Sequence, residues 1–79
     1  MDKCILTWAM KDPQEGFITC GCETIASRTA CRKIVKSYID RAIRVTDKWT
    51  DQTYPYGEYT ELILSSGAEL VLSIEPMRF

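Results

Sequence analysis

The sequence predicts a small α+β domain, a twisted antiparallel sheet with one amphipathic helix packed on one face, in the order β-β-α-β-β-β. Three observations predict it. Apolar residues recur at three- and four-residue spacing over residues 30–42, as on one face of a helix. The remaining apolar residues alternate with period two or form short continuous runs. Gly, Pro and Ser punctuate the chain between those runs. One helix among several strands is satisfied by a helix layer lying on a sheet. The 79 residues leave room for one domain, 1–79, with a single modest core. A hydrophobic fraction of 46% and a charged fraction of 27% are those of a folded chain. So small a domain is marginally stable alone and stands to gain from a partner, which leaves both a monomer and a homodimer open.

Residues 3–10, KCILTWAM, are apolar on both faces, the pattern of an inner strand. KDPQEG at 11–16 is turn chemistry, with Pro13 and Gly16 as its punctuation. FITCGCE at 17–23 alternates and pairs back as a hairpin, with Ile18, Cys20 and Cys22 on one face and a bulge expected at Gly21. Ser27 is the expected N-cap of the helix, with Thr24 as a competitor. Ala30, Cys31, Ile34, Val35, Tyr38 and Ala42 fall within an arc of about 140°, the width of a core-facing stripe, and the helix is expected to end near Asp40 or Arg41. Residues 42–49, AIRVTDKW, read as a half-buried strand with Ile43, Val45 and Trp49 on one side and Arg44, Thr46 and Lys48 on the other. Two further alternating runs flank Ser65-Ser66-Gly67, a hairpin turn, and Pro76 stops the last of them. One helix cannot cover such a sheet. The uncovered face is expected to carry Ile63 and Val71 among Glu61, Glu69 and Ser73.

The chain contains no His, so the commonest general base and every Ser-His or Cys-His pair are missing. The glycines at 16, 21, 57 and 67 sit at turns and form no phosphate loop or nucleophile elbow. These features argue against an enzyme, and no cofactor is expected. The four cysteines do not carry zinc-knuckle spacing, because Cys20 and Cys22 are separated by one residue and Cys4 and Cys31 stand alone. Four reduced, mostly buried thiols are expected and no metal site. No run of about 18 apolar residues exists to span a membrane. The first residues, MDKCILTWAMKDPQEG, lack a signal-peptide cleavage pattern, so a cytoplasmic location in the host cell is expected.

Charge is unevenly distributed. Between Ser27 and Lys48 lie Arg28, Arg32, Lys33, Lys36, Arg41, Arg44 and Lys48 against Asp40 and Asp47, a net +5. The whole chain is −1, which leaves −6 elsewhere. Arg32, Lys33 and Lys36, bordered by Arg28 and Arg44, form either a solvated helix face or a patch that meets phosphates or an acidic protein. WTDQTYPYGEYTE, at 49–61, sets four aromatics in the most polar connection of the chain, beside Asp51, Glu58 and Glu61. Trp49 is expected to close a strand into the core and Tyr59 to open the next. Tyr54 and Tyr56, around Pro55, remain as candidate contact residues, because Tyr buries a large rigid surface at low entropic cost. Their acidic neighbours favour a protein partner over nucleic acid, and a pI near 5.3 is far from that of most nucleic-acid-binding domains.

The segment ETIASRTACRKIV (23–35) entering the helix, followed by AIRVTD and a closing hairpin, resembles the small phage-encoded β-β-α-β-β-β proteins. These include several anti-CRISPR inhibitors of multi-subunit effector complexes. The likeness spans roughly residues 4–75 and lies in element order, size and helix entry. It implies a non-enzymatic inhibitor that binds a host CRISPR-Cas complex and blocks its access to DNA or its recruitment of a nuclease. A small nucleic-acid-binding or regulatory module using Arg32, Lys36 and Arg44 is the alternative.

Overall fold

A computed structural model describes residues 3–50 and 57–77, with position 49 given by its backbone alone. The elements are β1 (Lys3–Lys11), β2 (Ile18–Ser27), α1 (Arg28–Arg41), β3 (Arg44–Thr50), β4 (Glu58–Ile63) and β5 (Glu69–Pro76). The strands form one five-stranded sheet in the order β2-β1-β5-β4-β3, with every neighbouring pair antiparallel. The connections explain that order. A hairpin joins β1 to β2, α1 carries the chain to the opposite edge, and β3-β4-β5 meanders back until β5 pairs with β1. The edges are therefore β2 and β3.

Turn chemistry fixes both tight hairpins. Asp12 Oδ1 accepts the backbone N–H groups of Gln14 (2.7 Å) and Glu15 (3.0 Å), and Gly16 supplies the φ of 74° that lets the chain return to Phe17. At the other, Gly67 adopts φ 89° and donates to Leu64 O, while Leu64 N donates to Ala68 O.

Ser27 caps the helix as expected: its backbone is extended and its Oγ accepts from Ala30 N at 3.2 Å. Thr24 lies inside β2, which runs four residues beyond the stretch expected to end at Glu23. Ala42 is the C-cap, extended and donating to Ile39 O, so the helical stripe stops one residue before it. Cys31 and Val35 are buried from above, and Cys4, Leu6, Leu62, Leu70, Leu72 and Ile74 meet them from the sheet. Each fully buried Leu or Ile contributes about 1.5–3 kcal/mol of transfer free energy. Trp8, Met10, Ile34, Tyr38 and Ile39 pack around that cluster.

Three expectations are corrected. The bulge lies not at Gly21 but beyond it, where the β1–β2 register slips between Leu6 and Thr7 and leaves Glu23 unmatched. Gly21 instead pairs regularly with Trp8, whose ring lies where a side chain would be: a Cβ there would sit 3.1 Å from it. The strict alternation over 42–49 also breaks, because β3 slips against β4 between Val45 and Asp47. Val45 pairs with core-facing Leu62 and Lys48 with Thr60, so these two, expected on opposite sides, share one; the side chain at position 49 lies outside the described residues. The cysteines divide. Cys4 and Cys31 are buried, but Cys20 and Cys22 are exposed, because β2 is an edge strand and they stand opposite Ala9 and Thr7 on the face without the helix.

Candidate binding surface

The covered face of the sheet carries the candidate site, because α1 leaves its outer part open. Leu72 of β5 and Thr60 and Glu58 of β4 point to the helix side, since they share a register with core-facing Leu6 and Ile74 or lie two residues from such a position. Lys48 pairs with Thr60 and so joins that face from β3. Between these strands and the helix runs a groove of about 400 Å³. Val35, Ile39, Leu72 and Ile74 line its apolar part, and Arg32, Lys36, Asp40, Lys48 and Glu58 its charged part.

Glu58 organises this region. Its Oε2 accepts from Arg28 Nη1 at 2.6 Å, and both its oxygens lie 3.0 Å from Arg32 Nε. Arg32 Nη2 is a further 3.0 Å contact. Burial alone would raise the Glu58 carboxyl, but hydrogen bonds from Arg32 and Arg28 outweigh it and hold the group below its ordinary range. The same contact raises Arg32. The carboxylate is largely enclosed, whereas Arg32 keeps 58% of its side chain exposed. The arginine thus reaches from a fixed anion toward solvent.

The structure divides the basic residues named from the sequence. Arg28 and Arg32 share the single carboxylate of Glu58; Lys33 and Lys36 are exposed along α1; Arg44 pairs with Ile63 and so lies on the opposite face of the sheet. Tyr54 and Tyr56 lie outside the described residues. Sequence reading did not place Lys48 or Glu58 in a site. Lys48 was one more cation in a basic stretch, and Glu58 an acid of the aromatic loop. Period-two spacing from Leu62 back through Thr60 to Glu58 was the signal that this carboxylate turns inward.

Other polar groups are settled locally. Tyr59 donates from its hydroxyl to Glu61 Oε1 at 2.6 Å, and that bond pushes the phenol up to about 12. Burial raises the Cys31 thiol, which points at the carbonyls of Ala26 and Cys4 and stays protonated. Among the described residues no three His, Cys, Asp or Glu side chains gather where they could share a metal ion, and no helix is long and apolar enough to cross a membrane.

No protein-family model matches the sequence, and comparisons with curated proteins and with solved structures found no match.

Proposed function

We propose that the chain acts by binding a protein, as a non-enzymatic inhibitor of a host defence complex of the CRISPR-Cas kind, encoded by a phage or mobile element. The observation that carries the protein-binding reading is the groove beside α1, an apolar floor rimmed by charges of both signs. Such a rim and floor suit the side chains of a protein surface, where a few buried apolar contacts are ringed by polar ones. A phosphate backbone would instead be met by a continuous run of uncompensated cations. Here Arg28 and Arg32 already hold a carboxylate, and Arg44 stands on the other face. The choice of a defence complex rests on the β-β-α-β-β-β order and the size of the chain.

The test is binding to purified multi-subunit CRISPR effector complexes, read by co-elution and by loss of effector binding to target DNA. Lys36→Glu with Lys48→Glu is the informative double variant, because neither residue holds Glu58. It is expected to weaken the complex by roughly 30-fold, the loss typical of a hot spot. Reversing Arg32 would confuse the result by opposing Glu58 with a second acid. Direct binding of the chain to DNA, with an affinity that falls steeply as salt rises, would overturn the reading in favour of a nucleic-acid module.

A further inference from the structure

β2 is the less protected of the two edge strands. It is ten residues long and pairs only with β1, so its outer backbone N–H and C=O groups face away from the sheet. Soluble proteins blunt such edges with Lys, Pro, bulges or short strands. β2 has no Lys or Pro; its Glu23 is the single charge, and its bulge comes at that residue. The stretch before it, Ile18–Cys22, keeps unbroken alternation against Lys11–Thr7. Its uncovered face presents Ile18, 70% exposed, together with the exposed Cys20 and Cys22. Ala9 and Val71 extend the same face inward across β1 and β5.

We infer that β2 pairs antiparallel with β2 of a second copy about a twofold axis at Cys20, joining two sheets into one of ten strands. A twofold there uses the whole regular stretch: Cys20 faces Cys20 of the second copy, Ile18 faces Cys22, and Thr19 faces Gly21. The two helices then lie on one side of the joined sheet, and each groove, at the far β3–β4 side, stays open. Charge suits pairing with a second copy, because the stretch meets itself with no like charges opposed. The paired stretch is uncharged, and the Glu23 residues fall beyond it without opposing one another. Each subunit carries only −1, so little long-range repulsion opposes association.

Opposed residues in an antiparallel pair hold their Cβ atoms about 4.5–5.5 Å apart, near the separation a disulfide needs, and diagonal neighbours about 7–8 Å apart. Mild oxidation with diamide therefore reports the register. Two Cys20 thiols lose two protons and two electrons to form one S–S bond, and diamide takes them up to become its hydrazine. The expected result is a covalent dimer from the wild type and from Cys22→Ser, but not from Cys20→Ser. Sedimentation of the reduced protein should show a dimer, and Ile18→Lys should raise its dissociation constant by roughly 30-fold while leaving the melting curve unchanged at dilutions where the wild type is itself monomeric. The inference is overturned if the reduced protein stays monomeric at every concentration. It is equally overturned if Ile18→Lys leaves the dimer intact, or if Cys20→Ser cross-links as readily as the wild type.

Discussion

β3 ends the sheet with seven residues, of which Arg44, Asp47 and Lys48 are charged, and its register slips beside Thr46. β2 ends it on the other side with ten residues, Glu23 as their one charge, and thiols and isoleucines on its open face. The helix is held differently toward each. On the β4 side Glu58 gathers Arg28 and Arg32; on the β2 side the chain turns directly from strand to helix at Ser27, and Cys31 settles against Ala26. Three charges in seven residues make one edge a poor template for another strand, and the uncharged, regularly paired stretch Ile18–Cys22 leaves the other edge a good one. The same sheet can thus keep one end for its groove and offer the other to a second copy.

The largest expected effect tests whether both sides share one core. Leu6→Ala empties a fully buried position on β1 and should cost about 2–5 kcal/mol in denaturant unfolding, with both sides lost in one transition. Two separate transitions would break the comparison, because the edges would then belong to independent units.

Glu58→Gln comes next and should cost about 2 kcal/mol at neutral pH, since it weakens charge-assisted bonds to both arginines. Its pH dependence has a definite sign. The folded Glu58 carboxyl lies below its unfolded value, so its stabilisation is complete above about pH 4.3 and is lost as pH falls through the folded value. Thermal melts of the Gln variant should therefore fall less steeply in acid than those of the wild type. Parallel curves would remove Glu58 as the fastener of the groove side.

Gly21→Val adds a side chain against the Trp8 ring and should cost about 1 kcal/mol, measured by urea unfolding. A neutral outcome would mean that the ring gives way and that β2 is not held tightly by its neighbour. The smallest effect on stability, within about 0.5 kcal/mol, is expected for Asp47→Val. Its interest lies in association: removing that charge from β3 should begin to make the second edge adhesive, visible as higher-order species in sedimentation.

Much of this was legible in residue spacing. The stripe from Ala30 to Tyr38 marked α1, Ser27 marked its start, and Ser65-Ser66-Gly67 marked the last turn, because each signal involves residues a few positions apart. Ile18, Cys20 and Cys22 were legible as one face of a strand. That this face has no cover was not, since a period of two is the same whether the helix lies above it or below. The bulges at Glu23 and Thr46 escaped for a related reason: an inserted residue shows only when the partner strand is in place. The groove was the least legible feature, because Lys48 and Glu58 meet Arg32 only after β3 and β4 pair and fold beneath the helix.

The sequence by itself determined the number, kind and order of the elements, and which residues share a side of each wherever no bulge interrupts the strand. Hydrophobic spacing and turn chemistry act within a few residues and need no knowledge of the rest of the chain. Only the tertiary structure decided the order β2-β1-β5-β4-β3, the burial of Cys4 and Cys31 against the exposure of Cys20 and Cys22, and the pairing of Arg28 and Arg32 with Glu58. Those outcomes depend on contacts between residues far apart in sequence, and several sheets satisfy the same alternation until β5 closes against β1.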